Sequence, residues 1–267
     1  MSRFLVLAGR LAPELLDRNL GGLTRLFGYL AEEQTLAIQK NRRPQDAALR
    51  LLVRVLLVKA LDLNGLDGLS ILPDLIWNDR GQPELKGSPL RLSFSHSWPY
   101  GACAVALFPV GVDVERIQPL AVGGAGSVFS DSEVRRISGS DDPQSEAIRL
   151  WTVKESGLKA LGAGFLEDPK RLKTEPVFNE SAGQKAPPAG RSVWGSRTIY
   201  FGHLPVDPGY WLSWGACPDF QEPPVNSQAG QSLKASEQVR ASARFFGPAS
   251  LIYLPRVSEY IMNRLIE

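Results

Sequence analysis

The chain of 267 residues has little cysteine, little net charge and no long apolar run. Its two cysteines, Cys103 and Cys217, lie far apart without metal-ligand spacing, so we expect reduced core residues of a cytoplasmic protein. No stretch approaches the roughly 18 apolar residues of a membrane span. The formal net charge of +2 does not indicate nucleic-acid binding, although it is compatible with an anionic substrate or an acidic partner.

The N-terminal apolar run, residues 4–8, is short and is broken at once by Gly9 and Arg10. A secretory signal peptide needs a longer apolar core, so we expect a β-strand here and no signal peptide. The hydrophobic content of 43% is ordinary for a globular protein, and the length suits one large domain or two modest ones.

Residues 111–115, Gly-Val-Asp-Val-Glu, carry an alternating pattern. Val112 and Val114 alternate with Asp113 and Glu115, which is the period of a half-buried strand. Residues i and i+2 of a strand share a face and lie roughly 6.5 Å apart. The two carboxylates could therefore share one hard cation such as Mg²⁺, although an acidic edge strand gives the same pattern.

A helix is predicted over residues 142–161, with Gly162 as its C-terminal stop. Its second half reads Trp-Thr-Val-Lys-Glu-Ser-Gly-Leu-Lys over residues 151–159. Glu155 and Lys159 are four residues apart and share a face. The same spacing is also that of an ordinary surface ion pair.

Three cations, Lys40, Arg42 and Arg43, precede a predicted buried helix over residues 44–61 that has proline in its first position. The free N–H groups and dipole of a helix N-terminus add to such side chains, which favours an anion site. A solvated charged loop would show the same residues.

Residues 91–95 and 102–108 are predicted as two strands joined through His96. They lead directly into the strand that holds Asp113, so we expect all three strands to lie together.

The second part of the chain ends with two predicted strands, 198–201 and 210–216, after a loop over residues 179–191. A segment rich in Pro, Gly, Ser and Gln follows residue 222, as is typical of a flexible connection. The residues beyond it are too apolar for a disordered tail, so we expect the tail to pack on the body and to contribute stability rather than catalysis.

Taken in order, these motifs resemble the 4′-phosphopantetheinyl transferases, specifically the large monomeric type that activates surfactin synthetase. The family's signatures are a Gly-hydrophobic-Asp strand and a Trp-Ser/Thr-x-Lys-Glu-Ser/Ala-x-x-Lys helix, which stand here at residues 111–113 and 151–159. Ser95-His96 and the turn 81–83 agree with weaker family features. The family's turn lysine is Gln82 here, and neighbouring Arg80 could supply its phosphate contact.

The resemblance implies an α+β fold of two similar α/β halves related by a pseudo-twofold. We expect an N-terminal half over residues 1–109, a C-terminal half with the metal site over 110–221, and an extension over 222–267.

The function implied by the resemblance is transfer of the 4′-phosphopantetheine arm of coenzyme A to a serine of an apo acyl or peptidyl carrier protein, with release of 3′,5′-ADP. Such proteins are Mg²⁺-dependent, and we expect a cytoplasmic monomer with no nucleic-acid or membrane partner. The alternative is a non-catalytic module that binds coenzyme A or a carrier protein. An unrelated Mg²⁺-dependent phosphotransferase or hydrolase would not explain the pattern of residues 151–159.

By the same resemblance, Asp113, Glu115 and Glu155 are the expected metal ligands, and Glu155 and Lys159 are the expected catalytic residues. Lys159 would stabilise the departing charge, while Glu155 or a water on the metal would take the proton of the carrier serine. Basic and polar side chains of both halves are expected to bind coenzyme A: Lys40, Arg42, Arg43, Arg80, Ser95, His96, Lys154 and Lys159.

A capping box, Ser130 with Glu133, predicts the start of a short helix. This helix and its surroundings, residues 129–149, flank the expected site. We expect them to bind the acidic helix of a carrier protein through three arginines: Arg135, Arg136 and Arg149.

Overall fold

The structure is a computed structural model that describes residues 4–12, 21–119, 128–162, 168–176, 190–204, 206–218 and 250–254. Within these ranges, no helix combines the length and the apolar character that a membrane crossing needs.

Helices α1 to α5 span Glu32–Gln39, Pro44–Leu63, Gly68–Ile71, Asp131–Ser138 and Pro143–Leu161. Short 3₁₀ helices lie at Gly21–Tyr29, Leu72–Asp74 and Pro169–Arg171. Strands β1 to β6 span Leu5–Arg10, Leu75–Trp77, Pro83–Leu85, Arg91–Ser97, Tyr100–Ala106 and Val110–Arg116. Strands β7 to β11 span Glu175–Pro176, Gly190–Trp194, Arg197–Leu204, Tyr210–Ala216 and Ser250–Leu254.

The strands form two sheets, of order β11-β1-β5-β4-β3-β2 and β6-β10-β9-β8-β7. Without β11, the two sheets have the same connectivity. In each, the first strand pairs with the last, a long helix follows the first strand, and two short strands occupy the far edge. The predicted α+β class with two similar halves is thereby confirmed.

Each half is covered by one long helix whose ends follow the capping rules. Helix α2 starts with Pro44 in its first turn and buries twelve residues against the first sheet, as its apolar sequence predicts. Helix α5 begins after Asp142, whose side chain accepts a hydrogen bond from the Ser145 N–H, and ends at Gly162 with φ of 67°. The capping box of Ser130 and Glu133 is also present, at the start of α4.

Helix α5 packs unusually close to β6 and β10 because glycines face it. Gly111 and Gly215 lie opposite each other in the β6–β10 pair. A Cβ atom on Gly111 would lie 1.8 Å from the carbonyl oxygen of Ser156, and one on Gly215 would lie 2.9 Å from it. The glycine of the Gly-Val-Asp motif therefore lets the helix backbone approach the strand that carries the acidic residues.

The Asp113 strand lies beside its two predecessors, as expected, but it belongs to the other sheet. β6 pairs with β10 and forms an edge of the second sheet, while β4 and β5 belong to the first. The chain leaves the first sheet at Pro109, which has no N–H to continue a ladder. β4 still lies against the free edge of β6, where its serine hydroxyls replace a partner backbone.

Part of the C-terminal extension packs on the body, as expected. β11 pairs in parallel with β1 and becomes the outer strand of the first sheet. Residues 219–249 and 255–267 lie outside the described residues. Of the predicted loop 179–191, the last two residues begin β8, and the others lie outside the described residues.

Candidate active site

Asp113 is the centre of a polar cluster where β6, α5 and β4 meet. Asp113 is 4% exposed, and Glu155 on α5 is 8% exposed. Asp113 Oδ1 accepts hydrogen bonds from Lys159 Nζ at 2.7 Å and from Ser95 Oγ at 2.8 Å. Lys159 Nζ also donates to the Val112 carbonyl oxygen at 3.0 Å. The lysine therefore pairs with the strand carboxylate, and its ammonium is held between the helix and β6.

Two buried carboxylate oxygens in this cluster have no hydrogen-bond partner among the described residues. They are Asp113 Oδ2 and Glu155 Oε1. Leaving a buried charged acceptor unsatisfied is costly, so such a group calls for a ligand, an ion or a proton.

Two of these carboxylates, Glu115 and Glu155, have a raised proton affinity. Burial raises the pKa of Glu115 to about 7, with further contributions from Asp113 and Glu155, against the opposing effects of Ser97 and Lys159. Burial and the Asp113 charge likewise raise the pKa of Glu155 to about 7. These three acidic side chains therefore form one electrostatic unit, which a cation would stabilise.

The described residues contain no group of three or more His, Cys, Asp or Glu side chains arranged to hold a metal ion. The predicted ligands Asp113, Glu115 and Glu155 are thus coupled electrostatically, but their side chains are not arranged as a three-ligand metal site. Carboxylate oxygens are nevertheless the donors that a hard cation such as Mg²⁺ takes, and two of them lack a partner in the part of the chain that the structure describes. In their chemistry, these side chains fit a divalent cation.

Lys154 does not face this cluster, which corrects its predicted contact with phosphate. Its side chain is 0% exposed, and its Nζ lies 2.9 Å from Glu133 Oε2. The same atom donates to the carbonyl oxygens of Pro169 at 2.9 Å and Leu172 at 2.7 Å. An ammonium group has three donors, and all three are used in these contacts. Lys154 thus ties α4 and the segment after α5 to the middle of α5.

His96 is electrostatically coupled both to Lys159 and to the basic end of α2. Its pKa is lowered, chiefly through partial burial and then through the cations of Arg50 and Lys159, while a backbone hydrogen bond and Asp46 oppose the shift. Arg50 and Lys159 must therefore both lie within electrostatic reach of the imidazole.

The predicted cations around the N-terminus of α2 are all exposed: Lys40, Arg42 and Arg43. Arg43 occupies the N-cap position of the helix. Sequence reasoning missed Arg50 as a functional candidate. Its placement less than two turns into the helix that follows the basic cluster was the available signal.

Arg80 and Gln82 bring the first half onto the C-terminal end of α5. Arg80 Nη1 donates to the Gly162 carbonyl oxygen at 3.3 Å, and Gln82 Nε2 donates to the Lys159 carbonyl oxygen at 3.0 Å. A cavity of about 120 Å³ opens here between the halves, and its lining includes Arg80, Arg91 and Lys159. Gln82, which stands where the family has its turn lysine, therefore contacts the backbone of α5 through its side chain.

The comparisons with known proteins match the segment that carries this cluster. The family model of the 4′-phosphopantetheinyl transferase superfamily matches residues 109–189, which include β6, α4 and α5. Over this segment, the chain is similar to that superfamily.

Curated phosphopantetheinyl transferases align with the chain at modest identity. The 4′-phosphopantetheinyl transferase gsp of Aneurinibacillus migulanus is 32% identical over 90 residues, which are 33% of this chain and 38% of that protein. Sfp of Bacillus subtilis strain 168 is 30% identical over 146 residues, or 53% of this chain and 62% of Sfp. The ffp protein of Bacillus subtilis is 34% identical over 85 residues, or 31% of this chain and 37% of ffp. The chain thus spans less than two thirds of each of these relatives.

Within this segment, Arg149 is buried in an internal ion pair, which corrects its predicted role in binding a carrier protein. It is 8% exposed, and its guanidinium donates to both oxygens of Glu146 at 2.7 Å. Glu146 also pairs with Arg136 at 2.7 Å. Of the three predicted arginines, Arg135 is exposed and carries no such ion pair to Glu146. The i,i+3 spacing of Glu146 and Arg149 explains the internal pairing.

A second buried network, which sequence reasoning did not single out, lies beneath α5. His203 is 2% exposed, and burial together with Arg149 and Arg136 lowers its pKa to about 3. Its Nδ1 lies 2.9 Å from Ser213 Oγ, which in turn lies 2.6 Å from Thr152 Oγ1. The network holds α5 to β9 and β10 beside Asp113, because Ser213 lies opposite Asp113 in the β6–β10 pair.

Proposed function

We propose that this protein transfers the 4′-phosphopantetheine arm of coenzyme A to a serine of an apo carrier protein and releases 3′,5′-ADP. The observation that carries the proposal is the cluster of Asp113, Glu155 and Lys159, which lies inside the family segment. Several relatives that align with this chain are named 4′-phosphopantetheinyl transferases. An acidic and basic cluster of this kind suits the reaction, because a pyrophosphate under attack needs its charge neutralised.

We assign the binding of Mg²⁺ to Asp113, Glu115 and Glu155. The partnerless oxygens of Asp113 and Glu155, and the raised pKa values of Glu115 and Glu155, support this assignment. When bound, the metal would supply charge neutralisation at the pyrophosphate.

Lys159 has the role of stabilising the departing 3′,5′-ADP. Its ammonium lies beside Asp113 and lines the cavity between the halves, so it can reach a phosphate there. Glu155 or a water molecule accepts the proton of the carrier serine. A pKa of about 7 keeps part of the Glu155 population ionised at neutral pH, as a general base requires.

The 3′-phosphate end of coenzyme A is assigned to the basic end of α2. Arg42, Arg43 and Arg50 lie at this end of the helix, where the helix dipole adds to their charge, and Arg50 is electrostatically coupled to His96. Lys40 belongs to the same group, while Arg80 serves the phosphates near the cavity between the halves.

The carrier protein is proposed to approach along α4, where Arg135 and the 39%-exposed Val134 face solvent. Carriers of fatty-acid, polyketide and non-ribosomal peptide synthesis are all suitable in chemistry. We propose that the enzyme acts as a cytoplasmic monomer.

The experiment that tests this function is incubation with coenzyme A, Mg²⁺ and a panel of apo carrier proteins, followed by intact mass of the carrier and chromatography of the nucleotide. We expect a mass gain of one phosphopantetheine on at least one carrier and an equal amount of 3′,5′-ADP. A protein that binds coenzyme A but modifies no carrier in the panel would favour the non-catalytic alternative. Loss of the carrier's mass gain when its serine is replaced by alanine is the matched control.

A further inference from the structure

Three serines of β4, at alternating positions, face the free edge of β6. β6 pairs with β10 on one side only, so its other edge would leave backbone N–H groups unpaired. The hydroxyl oxygens of Ser93, Ser95 and Ser97 accept hydrogen bonds from the N–H groups of Val112, Val114 and Arg116, at 3.0, 3.2 and 3.2 Å in that order. The first half of the chain thus completes the edge of the second half with side chains instead of a strand.

Each of these hydroxyls has one proton to donate, and for two of them it goes to a carboxylate. Ser95 Oγ donates to Asp113 Oδ1 at 2.8 Å, and Ser97 Oγ donates to Glu115 Oε2 at 3.3 Å. At the Ser93 position the residue that corresponds to these acids is Gly111, which has no side chain to accept. Ser93 therefore makes the backbone contact without the carboxylate contact.

The consequence for Asp113 is that its two oxygens have different roles. Oδ1 accepts from both Ser95 and Lys159, at 2.8 and 2.7 Å, while Oδ2 is buried without a partner among the described residues. Two fixed donors on Oδ1 restrict rotation of the carboxylate. The oxygen that remains free is thereby the one available to a cation.

We propose that Ser95 and Ser97 are positioning residues that orient Asp113 and Glu115 for a divalent cation. The inference rests on the proposed metal-dependent function. In it, serines of the first half orient the metal ligands that the second half supplies. The Ser95 hydroxyl donates to Asp113 in this arrangement, and its predicted contact with coenzyme A stays a prediction.

The test is direct titration of the full chain with Mn²⁺, followed by electron paramagnetic resonance, for the wild type and for Ser95→Ala, Ser97→Ala and Ser93→Ala. All three variants lose one backbone hydrogen bond between the halves, and Ser93→Ala is the matched control. Loss of a group that orients a metal ligand typically weakens binding about 10–100-fold. We expect an increase of about 10-fold in the Kd for Mn²⁺ with Ser95→Ala, less with Ser97→Ala because its bond is longer, and no more than about 2-fold with Ser93→Ala.

Ser95→Thr and Ser97→Thr retain a hydroxyl and should restore binding, which a merely structural role would not require. Equal Mn²⁺ affinity in all variants, or equal loss in all three alanine variants, would overturn the positioning role and leave the proposed function standing. A wild type that modifies carriers but binds no Mn²⁺ would overturn the positioning role together with the metal assignment. Thermal unfolding of each variant identifies any that fails to fold, and Ser95 and Ser97, which are only partly buried, should tolerate alanine better than the buried Ser93.

Discussion

Replacement of Gly111 by alanine tests whether the close packing of α5 on β6 builds the site. The added Cβ would lie 1.8 Å from the Ser156 carbonyl oxygen and 2.8 Å from the Ala160 backbone nitrogen. Real Cβ atoms essentially never approach closer than 3.0 Å, so helix and strand must separate by at least 1.2 Å (3.0 minus 1.8 Å). Both obstructing atoms belong to the helix backbone, and no change of rotamer can move them away.

Such a displacement should cost both stability and activity. Overpacking of a core typically costs about 1–3 kcal/mol, and we expect about 3 kcal/mol here because the backbone must move. For a chain of this size each kcal/mol lowers Tm by about 2–4 °C, so we expect a decrease of about 6–12 °C. The Lys159–Asp113 contact of 2.7 Å would lengthen beyond hydrogen-bond range. A misplacement of about 1 Å in an active site can cost about 100-fold in rate.

The assay combines calorimetric unfolding with the rate of carrier modification. Gly28→Ala is the matched control, because a Cβ at Gly28 meets no atom within 4 Å and its backbone does not need glycine. We expect that control to keep its Tm and its turnover. If Gly111→Ala unfolds at the wild-type temperature and modifies carriers at the wild-type rate, the close packing is not what positions the site.

Three further predictions concern charged groups elsewhere. Lys154→Met leaves Glu133 buried without its cation and should lower the free energy of unfolding, measured by urea titration, by about 3–5 kcal/mol. The double variant with Glu133→Gln should recover much of this loss. An unchanged free energy of unfolding in the single variant would refute the buried pair. Arg42→Ala with Arg43→Ala should raise the KM for coenzyme A more than that for dephospho-coenzyme A, and equal effects would place these arginines away from the 3′-phosphate. In the folded protein the pKa of His203 is about 3, which is below its value in the unfolded chain. The unfolded state therefore binds the extra proton as pH falls below about 6.5. Relative to His203→Gln, the free energy of unfolding should decrease on acidification by up to about 1.4 kcal/mol per pH unit. Urea titrations of both proteins at pH 7 and pH 5 would show this difference, and parallel curves would contradict it.

The bounds of helix α5 could be predicted almost to the residue because local capping residues determine both of its ends. Asp142 caps its start and Gly162 takes the left-handed conformation at its end. The acidic strand was readable for the same reason, since alternation along a strand is a local property. β8 was missed because its first residues continue a stretch rich in Gly, Ala and Pro.

The direction of Lys154 could not be read from its place beside Glu155. Neighbouring helix residues point about 100° apart, so the two side chains face different surroundings. The partner of Lys154 is Glu133 on another helix, and its two carbonyl acceptors belong to a later segment. No local sequence pattern predicts such contacts. The family motif suggested a functional role for Lys154, whereas its contacts are structural.

The roles of the β4 serines also depended on tertiary structure. Ser93, Ser95 and Ser97 alternate visibly in the sequence, but the sequence does not show which strand edge they face. In a single sheet, backbone groups would pair with each other and the serines would have no edge to complete. Only the division into two sheets gives their hydroxyls a role.

The most direct measurement of the central claim is the rate of phosphopantetheine transfer at saturating Mg²⁺ by the wild type, Asp113→Asn and Glu155→Gln, each checked for folding by thermal unfolding. Both substitutions keep the size of the side chain and remove the charge of a group that has a partnerless buried oxygen. We expect both variants to fold, to bind coenzyme A and to transfer at least about 100-fold more slowly, since charge stabilisation of this kind typically contributes that much. Transfer by either folded variant at close to the wild-type rate would contradict the assignment of this carboxylate cluster as the active site.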